Sequence, residues 1–307
     1  MRRSHFTHSQ PWSLRQGGNI PALWARSQGS DTRLIGLTWV DEFQALITLD
    51  PQLEATRDAL AGVRFGLPRD TRAQVVDFHR ATALRGLASL LDTAGVSPGD
   101  VELIDMPHEP RGLADNKADD RAPIGAWLDA QRSHEFAREA QALLRGEADV
   151  VFVKGATGLD IANVLGARIL IDMTAQPRRD LHANNGTPRP LTVDATLLRE
   201  RPDLVERILE RTLDAADWAR LHPAEVSRYV AREVRTAEHW IPRAYEGGLH
   251  EQLQLGLDPA ALAALAGFKN FLLHHAFLPA DFDFDAWVEA APLTAVLRRR
   301  ADSHAAA

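Results

Sequence analysis

Short apolar runs alternate with stretches of helical period through the middle of the chain, the arrangement of strands joined by crossover helices in a parallel sheet. Residues 63–67 predict a strand. Residues 73–92 predict a helix on which Val76, Ala83, Leu84, Leu87 and Leu91 form one stripe. A Gly- and Pro-containing turn from Gly95 to Asp100 leads into a second strand at 101–104. A helical stretch at 134–145 then precedes 149–153, whose continuous apolar run suits a strand buried on both faces. Residues 155–165 return as a helix to a strand at 167–171, completing one βαβ lobe.

The flanks are patterned differently. Before the lobe come strand-like runs at 33–38 and 44–48, separated by the polar turn Asp41-Glu42. After it come a loop at 176–190 rich in Asn, Gly and Pro, a strand at 191–193, and helices. The helix predicted at 203–220 carries Leu204, Ile208 and Leu209 on one side, and that at 259–275 carries Leu262, Leu265 and Leu272. A lobe inserted between flanking pieces needs two crossings, which we place near Asp50-Pro51 and Ala175-Gln176-Pro177. Residues 51–176 are then one lobe, and 1–50 with 177–307 the other. The Ala-rich end after Asp302 is expected to fray.

Composition narrows the partner. With 307 residues, 45% of them hydrophobic, the chain can bury a sizeable core. A formal net charge of −7 argues against wide contact with nucleic acid or anionic lipid, both of which need a basic face. A small-molecule ligand is the remaining expectation. The sequence has no run of about 18 apolar residues to insert into a membrane. Met1-Arg2-Arg3 leads into Ser4-His5, not into an apolar core of a signal peptide. The expected location is cytoplasmic for the sequence as it stands, and periplasmic if a signal precedes it. There are no cysteines, so no disulfide, thiolate zinc site or cysteine nucleophile exists within these residues.

The segment from Ser4 to Pro21 carries the most legible chemistry. Gly17-Gly18 can present bare backbone N–H groups, and Pro21 falls in the first turn of a helix running through Leu23 and Trp24. A helix N-terminus carries partial positive charge, and Arg15 can grip two oxygens of a sulfinate, sulfonate or carboxylate in one plane. The same residues read equally as a plain turn beside a solvated guanidinium. Pro68-Arg69-Asp70-Thr71 is expected to open the helix of the inserted lobe, either as a simple N-cap or as a second set of N–H donors, with Arg69 and Thr71 toward ligand. Lys154 follows a buried strand at the edge where α/β sheets take ligands, and reads as a cationic contact or a surface lysine. Trp39, with Glu42 and Phe43, reads as an aromatic wall or as core. His5 with His8, and His274 with His275, are not spaced to chelate one ion, so no metal is expected. No phosphate-binding glycine motif follows a strand, and no cofactor is expected.

A resemblance enters on the same segment. His5-Phe6-Thr7, Gln10-Pro11, Arg15, Gly17-Gly18 and Ile20-Pro21 resemble the site segment of the 2-(2′-hydroxyphenyl)benzenesulfinate desulfinases, a branch of the nitrate, sulfonate and taurine binding-protein family. The likeness continues through residues 32–36, 60–62, 99–103, 146–149, 201–205 and 218–220. It implies an α/β, type II periplasmic-binding-protein fold of two lobes with a ligand cleft between them. It further implies that His5 tunes a cysteine or the sulfinate, that Arg15 binds sulfinate oxygens, that Gly17 and Gly18 offer the turn and its N–H groups, and that Gln10 sits with the ligand-binding residues. The family's cysteine has no counterpart here, and the resemblance implies a further strand–loop–helix unit bearing it ahead of residue 1.

Two functions follow as expectations. One is a desulfinase-like protein that binds an organic sulfinate and, in complete form, hydrolyses the carbon–sulfur bond. The other is a substrate-binding protein that delivers sulfonate, taurine or nitrate to the permease of an ABC transporter. In both, the partner is a small organosulfur or related anion, without nucleic acid and without membrane insertion.

Overall fold

The computed structural model describes residues 6–71, 73, 75–108, 135–174 and 176–305. In chain order the elements begin with β1 (Leu14–Gln16), α1 (Asn19–Ser27), β2 (Thr32–Thr38), β3 (Gln44–Thr48), α2 (Arg57–Leu60), β4 (Arg64–Asp70), α3 (Phe78–Thr93) and β5 (Glu102–His108). They continue with α4 (Ala137–Leu144), β6 (Val150–Lys154), α5 (Gly155–Leu165), β7 (Arg168–Asp172), β8 (Arg189–Asp194), α6 (Ala195–Glu200) and α7 (Pro202–Leu221). Last come α8 (Pro223–Val234), α9 (Ile241–Ala244), β9 (Leu255–Gly256), α10 (Pro259–His274) and α11 (Ala291–Ala305). The chain forms two compact units. Unit I comprises Arg2–Val40, Ala183–Val226 and Gly247–Ala307, and unit II comprises Asp41–His182 and Ser227–Glu246.

Unit II is built on a five-stranded sheet in the order β5-β4-β6-β3-β7. β4 runs parallel to β5 and β6, whereas β3 is antiparallel to both β6 and β7. This corrects two expectations. The sheet is mixed, because β3 lies between the two strands that α5 connects. β3 therefore does not belong to the flanking lobe, and the first crossing falls after Val40 instead of near Asp50-Pro51. The second falls after His182 instead of near residue 176, and 227–246 returns to unit II. The return is anchored by Phe43 N–H donating to the Ala244 carbonyl at 2.7 Å and by the Trp240 indole N–H donating to Asp160 at 2.9 Å.

Helix α3 covers the sheet, and its start also differs from expectation. Pro68, Arg69 and Asp70 continue β4, paired with Met106, Pro107 and His108 of β5. Asp77 caps the helix instead: one of its oxygens accepts from Arg80 N–H at 3.0 Å, the other from Asp70 N–H at 2.7 Å. A carboxylate at the cap satisfies an amide that the first turn leaves without an intrahelical partner. Further along, Gly86 lies against the fully buried Phe152 ring, and a Cβ at Gly86 would stand closer than 3.0 Å to three ring atoms. Gly86→Ala should therefore be destabilising although alanine favours a helix by about 1 kcal/mol over glycine. Overpacking of about 1–3 kcal/mol outweighs that gain. A lower urea midpoint checks it; a midpoint at or above the parent's would show that Phe152 has room to move.

Unit I carries an antiparallel sheet ordered β1-β8-β2-β9. Its core gathers Ile35 of β2, Leu191 and Val193 of β8, Leu197 of α6, Val205, Leu209 and Leu213 of α7, and Leu293 and Val296 of α11. The α7 stripe is thus Val205, Leu209, Leu213 at a four-residue step. Ile208, expected inside, is exposed, and Leu204 is only partly buried. The helices start where chain chemistry dictates. Asp194 accepts from Thr196 and Leu197 N–H to open α6, and Asp258 accepts from Ala261 N–H with Pro259 next to it to open α10. The end expected to fray after Asp302 is helical through Ala305.

Candidate functional site

Strand β1, a two-glycine turn and helix α1 bring the first candidates together in unit I. β1 pairs with β8, Arg15 standing opposite Thr192, so alternation puts Arg15 on the face away from Leu14 and Gln16. The guanidinium folds back over the turn. Its Nη1 donates to the Gly18 carbonyl at 3.0 Å, and its Nη2 would lie 3.3 Å from a Cβ on Gly17. Burial pushes the Arg15 pKa down to about 10, because a cation removed from water is disfavoured. It remains charged at neutral pH, and an anion beside it would recover part of that desolvation.

Gly18 is the N-cap residue of α1, and no side chain of its own satisfies the helix start. Its backbone, φ −54° and ψ 144°, is open to any residue. Space is what requires glycine: a Cβ there would stand 3.0 Å from the Asn185 carboxamide carbon and nearer still to Oδ1. Pro21 has no N–H, and the Ile20 N–H donates to Asn185 Oδ1 at 3.2 Å. The N–H groups of Gly18 and Asn19 make no hydrogen bond among the described residues. The helix start therefore presents two amides and the positive end of a dipole next to a guanidinium, which suits an anion.

The facing loop is the part that sequence reasoning missed. Asn184 and Thr187 exchange backbone hydrogen bonds, both 2.9 Å. The fully buried Asn19 side chain donates to the Asn184 carbonyl at 2.8 Å and to the Pro188 carbonyl at 3.0 Å, tying this loop to α1. The dipeptide Asn185-Gly186 is a turn signal that could have located the bend. Nothing in composition could have placed it against a helix that begins at residue 19.

His5 lies outside the described residues. The Gln10 side chain is exposed, while its carbonyl accepts from Ser13 Oγ at 2.8 Å. Trp39 is buried in unit I, whereas Glu42 and Phe43 are buried in unit II, so the three do not form one wall within either unit. In unit II, Arg69 is exposed and ion-paired with Asp105 at 2.8 Å, and Thr71 is exposed past the end of β4, not at a helix cap. The Lys154 ammonium is buried in an ion pair with Glu42, which matches its charge internally. Nearby, His182 Nδ1 lies 3.3 Å from Asp41 and its Nε2 is 2.9 Å from the Gln176 carbonyl. Burial, the largest influence, lowers the His182 pKa, but these two contacts together raise it above the ordinary imidazole value. Among the described residues no group of three or more His, Asp or Glu side chains is gathered to hold a metal ion. No described helix is long and apolar enough to cross a membrane.

The mixed five-stranded sheet, its antiparallel companion and the arginine–glycine helix start define a class: this is the periplasmic-binding-protein fold. A periplasmic sulfonate-binding protein, SsuA, from Methylobacillus flagellatus superposes with a TM-score of 0.69 over 97% of this chain and 78% of its own, at 13% identity. Within that class the chain is homologous to 2'-hydroxybiphenyl-2-sulfinate desulfinase. The Rhodococcus erythropolis desulfinase is 29% identical over 313 aligned residues, covering 94% of this chain and 81% of its own length. The crystal structure of a cysteine-to-serine variant of the desulfurization enzyme DszB with biphenyl-2-sulfinic acid superposes with a TM-score of 0.72, over 96% of this chain and 88% of that one, at 25% identity. No protein-family model matches the chain.

Proposed function

We propose that this protein binds an aryl sulfinate, or a closely related organosulfur anion, at the helix start formed by Arg15, Gly17, Gly18 and Asn19, and that it is a desulfinase-like protein. One observation carries the reading: a partly buried guanidinium folded onto the same turn whose two amides open α1. Arg15 supplies charge and a planar fork. The Gly18 and Asn19 amides supply directed N–H donors. Homology to a sulfinate desulfinase supplies the substrate class. The corresponding reaction takes a sulfinate and water to the arene and hydrogensulfite, breaking the carbon–sulfur bond and placing a proton on the ring carbon.

A second reading, ligand capture without turnover, is favoured by one fact. The chain has no cysteine, so no thiolate among these residues can attack or donate a proton. Capture for delivery to an ABC-type permease needs none. Titration calorimetry with biphenyl-2-sulfinate, run beside an assay for released sulfite, separates the outcomes. Binding with sulfite release supports the desulfinase, binding alone supports capture, and no heat of binding at millimolar ligand defeats both.

A further inference from the structure

The loop facing α1 decides which oxygens the helix start can serve. Asn185 is held from several sides. Its own N–H donates to Asn184 Oδ1 at 2.7 Å, the Asn184–Thr187 pair closes the bend beneath it, and Thr187 Oγ1 donates to the Val40 carbonyl at 2.7 Å. Gly186, with φ 105°, adopts the left-handed backbone that only glycine takes without strain. Asn184 and Thr187 are fully buried. The Asn185 carboxamide is thus presented in one position, with Oδ1 on the Ile20 amide and its face against Gly18.

Resting on the reading above, we propose that Asn185 is a specificity-determining residue that limits the anion to two backbone amides and so favours a two-oxygen sulfinate head over a three-oxygen sulfonate. The donor inventory at the helix start is short. Gly18 and Asn19 have N–H groups without partners among the described residues, Ile20 is spent on Asn185, and Pro21 has none. Two oxygens can be shared between these amides and the Arg15 fork. A third oxygen on the same sulfur finds no backbone N–H left and would lie against the Asn185 carboxamide, whose Oδ1 stands nearer than its Nδ2, at 3.0 Å, to the place a Gly18 Cβ would take, and an acceptor facing an acceptor is unfavourable. Asparagine also fits for its neutrality. Aspartate caps a helix as well and suits the dipole better, but its charge would stand beside the bound anion.

The matched pair biphenyl-2-sulfinate and biphenyl-2-sulfonate tests this by titration calorimetry on the whole chain. The parent should bind the sulfinate at least tenfold more tightly. Asn185→Ala frees the Ile20 amide for a third oxygen, and the sulfinate-to-sulfonate ratio should narrow at least threefold. General loosening of the site would weaken both ligands together and leave the ratio in place, so an unchanged ratio overturns the proposal. If the alanine variant does not fold, Asn185→Asp decides. That variant retains the cap, so its thermal midpoint should hold or rise, while a carboxylate where the third oxygen falls should weaken the sulfonate more than the sulfinate and widen the ratio at least threefold; an unchanged ratio sinks the idea. In either case, parent binding of sulfinate shows that the functional reading stands while this inference fails. A parent that binds neither anion ends both.

Discussion

Arg15→Ala should weaken biphenyl-2-sulfinate binding by about 10- to 150-fold, the equivalent of the roughly 1.5–3 kcal/mol carried by a hydrogen bond to a charged group. The loss should appear in calorimetric affinity and exceed any change in unfolding midpoint. The guanidinium is tied to the fold by its bond to the Gly18 carbonyl at 3.0 Å, and a part-buried bond of this kind adds modest stability. Arg15→Lys should recover only part of the affinity, since an ammonium restores charge without the planar fork. The dependence on pH has a defined sign. Burial lowers the guanidinium pKa to about 10, so the cation is intact at pH 7–8 and is lost as pH rises through 10, taking anion affinity with it. Parent-like affinity in the alanine variant would remove Arg15 from the site.

The largest stability effect is expected at Glu139, in the first turn of α4. Burial, the dominant cause, together with the charge of Glu135, pushes its pKa up to about 7, against opposing contributions from its own backbone N–H and from Arg138. Arg138 is engaged elsewhere, donating to Glu147 at 2.8 Å. Because the folded pKa lies above the unfolded value of 4.5, the protonated acid favours the fold. That contribution is complete below pH 4.5 and is lost as pH rises to 7, by about 3 kcal/mol over the interval. Glu139→Gln removes this titration. Urea unfolding of parent and variant should show a stability difference that shifts in the variant's favour by about 3 kcal/mol between pH 4.5 and pH 8. Parallel stability profiles would mean that the carboxylate keeps its water in the folded protein.

Much of the fold was legible because strong periodicity coincides with clear punctuation. β3 spans Gln44–Thr48 and α5 spans Gly155–Leu165, as their patterns predict, and Gly155 at φ 64° marks the change from strand to helix. The end of β4 was misread for a physical reason. Pro68-Arg69-Asp70 has the composition of a helix entry, yet the strand continues because β5 pairs with it residue for residue. Long-range pairing overrides local preference, and for the same reason β3 could not be seen between β6 and β7. At the site, Arg15, Gly17 and Gly18 are neighbours in the chain, so their grouping was visible at once. Asn185 was not, since its role depends on a contact between distant segments. Lys154 read as an open cation only because its partner Glu42 comes from another strand end.

The interleaving of the chain has a practical consequence for anyone dissecting it. Unit II is stitched from two stretches, and the shorter one, 227–246, supplies the indole that holds Asp160 and the carbonyl that receives the Phe43 amide. No single pair of cuts liberates it whole. A fragment ending at His182 would carry every strand of its sheet and still display an uncovered seam where Trp240, Ile241 and Tyr245 had been buried.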